Sequence, residues 1–146
     1  MFPFPMVFTF GMFVISRPDE ITNLRSFQDL LELNEAGNAS EGVADFDRLD
    51  QLNRMVCDSH DDFLLPVTSG FAEESELFRV ARSFRDSLAA ADDKRVSKLA
   101  ADWADSESWR DTNVNPFDLY GMLQFLNGVC ARARAEDKEL YLLLTN

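Results

Sequence analysis

The chain begins MFPFPMVFTFGMFVIS (residues 1–16) and ends ELYLLLTN (139–146). These two apolar stretches set the expected architecture. The first is short of the roughly 20 residues that a membrane-spanning helix needs. A signal peptide opens with positive charge and closes on a small-residue cleavage site. Here no Lys or Arg precedes Arg17, and Pro3 and Pro5 break any helix. Phe, Val and Ile dominate, as in strands, so a buried strand is expected over residues 6–15, with no membrane segment. Met6 and Met12 offer alternative starts within it. The last stretch has the same chemistry and reads as a short buried strand. With helical patterns between them, the two ends pair into a small sheet. The expected fold is α+β and predominantly helical, one domain over residues 1–146. It divides into an apolar strand segment at 1–15, a mainly helical body at 16–138 and a terminal strand at 139–145.

Moving inward, Ser16 to Ala36 reads as a helix. Ser16 can cap the N–H of Asp19, Pro18 takes the first turn, and Ile21, Leu24, Phe27 and Leu31 share a face. Gly37 ends it, and NEAGNASEG (34–42) is a polar loop. A second helix is expected from about Ala44 to Cys57, with Phe46, Leu49, Leu52 and Val56 as its apolar stripe. HDDFLLPVTSG (60–70) reads as an irregular loop broken by Pro66 and Gly70. Residues 76–80 fit a strand or a helix, and Ala81–Ala91 is helical. Asp92 or Asp93 then caps a helix whose narrow face is Val96, Leu99 and Trp103. The clearest local signal follows. Asn115 caps, Pro116 takes the first position and Asp118 suits the positive end of the dipole. Leu119, Met122, Leu123, Leu126, Cys130 and Ala133 form a broad apolar face. Gly121 and Gly128 weaken this helix, and are expected to admit another backbone at close range.

A chain of 146 residues with 13 Phe and 2 Trp can build its own core without disulfides or metals. Two cysteines, Cys57 and Cys130, make no disulfide framework and point to a reducing cytoplasm. The net charge is −12. It peaks over residues 36–70, where seven acids face two bases. Such a field repels phosphate backbones, which disfavours nucleic acid, and suits a basic protein partner. A highly charged surface also serves solubility alone.

CDSHDDF (57–63) contains the only histidine. His60 with Asp61 suggests half of a metal site, but no second histidine exists to complete it. An EF-hand loop counted from Asp58 would need Gly where Phe63 stands. Cys57 and His60 give two soft ligands where structural zinc takes four. A Cys57–His60 or Ser–His nucleophile would depend on this one imidazole. The six glycines form no phosphate-binding loop. Neither metal nor cofactor is expected, and the stretch reads as a solvated helix end. Trp103 continues a core stripe. Trp109, in a polar loop, is either a lid on the core or a contact for a partner.

The order of RPDE (17–20), ADFDRLDQLNRMV (44–56), FRDSLAAADD (84–93), VSKLAADW (96–103), PFDLYGMLQFL (116–126) and KELYLLLTN (138–146) resembles the YfbM-like group of small bacterial proteins and related actinobacterial families. It departs from them before Met12 and over residues 57–70. The resemblance implies an α+β fold and a bacterial cytoplasmic protein. It implies no activity and no site residues.

The functional expectation is a non-enzymatic module, monomeric or weakly homodimeric, that presents an acidic face to a basic partner, as an immunity protein or antitoxin does. The residues expected on that surface are Asp45, Asp47, Asp58, His60, Asp61, Asp62 and Trp109. The alternatives are a small hydrolase using His60 with Asp61 or Asp62, and a small-ligand-binding domain.

Overall fold

The last strand is the spine of the protein. In the computed structural model, which describes residues 10–21, 23, 28–29, 32, 39–40, 46–57, 62–67, 75–110 and 112–145, β5 (Glu139–Thr145) lies between β1 (Phe10–Ser16) and β4 (Ser75–Val80). Two further strands, β2 (Ala39–Ser40) and β3 (Leu64–Val67), complete an antiparallel sheet of order β2-β1-β5-β4-β3. The chain ends do pair, from Phe10↔Thr145 to Ser16↔Glu139. The fold is α+β and predominantly helical.

The run Leu140–Leu143 is apolar at consecutive positions because both faces of β5 are buried. Leu140 and Leu142 join Phe13, Ile15 and Val80 in the main core, while Tyr141 and Leu143 are buried on the other face, as are Val14 and Leu77. The helices over the main core are α2 (Phe46–Cys57), α3 (Arg82–Ala89), α4 (Asp93–Ala104) and α5 (Pro116–Ala135). α3 and α4 both pack on α5, and α2 packs on α3 and α4. Leu49, Leu52, Phe84, Leu88, Leu99 and Leu123 are fully buried between them and the sheet. A short α1 (Pro18–Ile21) follows β1 and buries Ile21.

The caps follow the sequence. Asp92 accepts from Arg95 N at 2.8 Å and Asn115 accepts from Phe117 N at 2.9 Å. Asn127 of α5 donates to Leu88 O (2.6 Å) and Ala91 O (3.1 Å), satisfying carbonyls at the end of α3.

Several expectations are corrected. Ser16 does not cap a helix. It closes the β1–β5 ladder opposite Glu139, and its Oγ donates to Arg17 O. Pairing therefore holds Ser16 extended, and α1 begins at Pro18. Gln28, Asp29 and Glu32 are helical too, whereas Leu24, Phe27, Leu31 and Gly37 lie outside the described residues, as do residues 6–9 and 44–45. The polar loop at 34–42 contributes β2, which pairs Ala39 and Ser40 with Val14 and Phe13. The expected loop at 60–70 contains β3. Its Pro66 is tolerated because β3 is an edge strand, where a missing N–H can face outward. Residues 76–80 are strand. Gly121 and Gly128 admit no other element among the described residues: a Cβ on either would meet nothing within 4 Å.

Candidate functional site

The N-terminal turn of α2 meets the 3-10 turn Glu107–Trp109 at one corner, and Arg48 joins them. Trp103, fully buried on α4, donates its indole N–H to Arg48 O at 3.0 Å. Arg48 Nε donates to Ser108 O at 3.1 Å. The Arg48 guanidinium carbon sits 3.9 Å from the centre of the Trp109 ring, a cation–π geometry. Trp109 in turn meets Trp103 edge-on, with centroids 5.5 Å apart. Trp109 is thus half-buried as a lid on the core, and its Nε1 has no acceptor among the described residues. Ser106 Oγ donates to Trp103 O at 2.6 Å and holds the turn against the end of α4.

The segments meeting here carry exposed acids. Asp47 lies in the first turn of α2, Asp105 caps the C-terminus of α4 and Glu107 opens the 3-10 turn. None of the three enters an ion pair among the described residues. Of the expected surface residues, the structure brings Asp47 and Trp109 to this corner. Asp62 is exposed just before β3. Asp45, Asp58, His60 and Asp61 lie outside the described residues. Cys57 ends α2, where its thiol donates to Asn53 O and Oδ1 at 3.2 Å. Asp105 and Glu107 are not marked by charge density, because they fall outside the most acidic stretch of the sequence. The break after the Trp103 stripe was the available signal.

A second polar cluster could not be read from spacing. Glu139, at the start of β5, is buried. Its Oε1 accepts from Arg82 Nε (2.7 Å) and lies 2.6 Å from Arg82 Nη2. Arg85 Nη1 stands 3.9 Å from Glu139 Oε2 and donates to Lys138 O at 2.8 Å. Glu139 raises Arg82 above its ordinary pKa. Burial, then the charge of Glu139, raises Tyr141. Arg79 lies opposite Tyr141 in the ladder, and its Nε is buried without a hydrogen bond among the described residues. The cluster ties the start of α3 to the start of β5.

Between α4 and the start of α5 runs an open groove of about 450 Å³, lined by Ala100, Ala101, Phe117 and Tyr120 among others. Tyr120 donates its hydroxyl to Asp93, a bond that raises the Tyr120 pKa. Among the described residues no group of three His, Cys, Asp or Glu side chains could hold a metal ion. No helix among them is long and apolar enough to cross a membrane. No protein-family model, curated protein or solved structure matches the chain.

Proposed function

We propose that the protein is a non-enzymatic docking module that presents an acidic surface to a basic protein partner. The observation that carries this reading is the set of exposed acids Asp47, Asp105 and Glu107, without ion pairs among the described residues, around the Trp109 corner. Exposed carboxylates without an ion pair among the described residues repel one another, and a basic surface relieves that repulsion. Arg48 is held over the indole, so its charge braces the corner from within. The half-buried Trp109 supplies a rigid aromatic edge of the kind interfaces favour. Neutralisation of a basic toxin is one concrete form of this activity. The resemblance to the YfbM-like group adds a bacterial setting. Both cysteines are free, which agrees with a reducing cytoplasm.

The test is capture of bacterial proteins on the immobilised chain at low and high salt. A basic partner should be retained at low salt, released at high salt, and lost when Asp47, Asp105 and Glu107 are changed to Asn or Gln together. Retention that ignores both salt and these substitutions would sink the reading. A small-ligand domain is the second reading, favoured by the groove beside Phe117 and Tyr120. It ranks second because an open groove buries little of a small ligand, whereas ligand sites enclose most of theirs.

A further inference from the structure

We propose that the outer face of α5 is the interface of a symmetric homodimer, in which α5 packs antiparallel against the same helix of a second copy. At 3.6 residues per turn, Phe117, Gly121, Phe125, Gly128 and Arg132 share the side of α5 opposite the buried Leu119, Leu123, Leu126, Cys130 and Ala133. Phe117 is 76% exposed and Phe125 59%. The solvent face of a surface helix is ordinarily charged or polar. This one places two large aromatics in water, on the longest helix among the described residues. Gly121 and Gly128 weaken the helix, yet no contact among the described residues accounts for them. Small residues let a second helix come close.

Symmetry and charge identify the occupant as a second copy. The positions of this face, not their residue types, are spaced symmetrically about the midpoint of Gln124 and Phe125: Gly121 mirrors Gly128, Phe117 mirrors Arg132, and Phe125 mirrors Gln124 beside the axis. An antiparallel two-fold pairing about that point sets Gly121 opposite Gly128 of the partner subunit. It also sets Phe117 opposite Arg132 of the partner subunit, a cation–π pairing with Asp118 beside it as counter-charge. Each contact occurs twice, as an isologous interface requires. The chain carries −12, yet α5 has one acid, Asp118, against Arg132 and Arg134. Two copies can therefore meet here without setting acid against acid, while a basic partner is drawn to the acidic surfaces elsewhere. The ion pair of Arg132 with Glu136 lies within the same helix end and is compatible with this contact.

Sedimentation equilibrium of the full chain, from about 1 µM to about 1 mM, tests the proposal over the range of weak protein association. The mass should rise from 16.6 kDa towards twice that value. Phe117→Ser with Phe125→Ser should weaken the dimer at least tenfold. Gly128→Leu should do the same by filling the crossing point, while its dilute melting temperature stays level or rises, because Leu favours helix over Gly. A monomer at every concentration overturns the proposal, whatever else binds the face. So does a dimer that Gly128→Leu leaves intact.

Discussion

Glu139 is the one acid among the described residues that folding buries. Its partners differ in exposure: the side chain of Arg82 is 64% exposed, that of Arg85 only 12%. Water screens the first attraction more than the second. Removing the carboxylate leaves Arg85 with less compensation in a buried setting, and fully buried pairs lose roughly 3–5 kcal/mol when broken. Because Arg82 is exposed, Glu139→Ala should cost less, about 1–3 kcal/mol, in urea unfolding. Cys130 is the second residue with a clear consequence. Burial pushes its thiol from 9.0 up to about 12. Between those values the unfolded chain releases this proton and the folded chain keeps it, so stability should fall as pH rises above about 9. At pH 8 a thiol reagent should modify the half-buried Cys57 first, and Cys130 only on unfolding. Equal rates of modification in the native protein would contradict this.

At the scale of elements, the turn from α5 into β5 sets the register of the spine strand. Lys138 N donates to Ala133 O at 2.8 Å and Asp137 N to Arg134 O at 3.3 Å, with Asp137 at φ 55°. This is a Schellman close in which Asp stands where Gly is usual. Asp137→Gly should therefore stabilise, and Gly121→Ala and Gly128→Ala, placed in open helix surface, should each add about 1 kcal/mol. Dilute thermal melts of the three variants check this, and a lowered melting temperature in either alanine variant would count against open space at that position. The turn also shows the limits of local reading. Asp92 and Asn115 announce their helices because a cap is a local hydrogen bond. Asp137 gives a weaker signal, since Asp visits the left-handed region more often than most residues but far less than Gly. β3 was hidden for a related reason: Pro66 reads as a breaker unless the strand is known to lie at an edge.

At the scale of the whole molecule, the chain ends were legible because a strand buried on both faces must be apolar at every position, and Leu140–Leu143 is. The Glu139 cluster was not legible, since Arg82 and Arg85 meet Glu139 only after β5 inserts between β1 and β4. That central place predicts that amides of β5 exchange slowest, at the rate of global unfolding, while those of edge strand β3 exchange much faster. Fast exchange along β5 would contradict the topology. The Trp109 corner was half legible: Asp47 and Trp109 were expected at a surface, but Asp105 and Glu107 join them only through the contact of Arg48 with Ser108. In the proposed function this acidic surface docks a basic partner. Its most direct test is calorimetric titration of the captured partner across about 50 to 500 mM salt, a range over which surface charges become screened. Affinity should fall at least tenfold with salt, and the protein with Asp47, Asp105 and Glu107 neutralised should bind both more weakly and with less salt dependence. Affinity that is unchanged by salt, and equal in the two proteins, would contradict it.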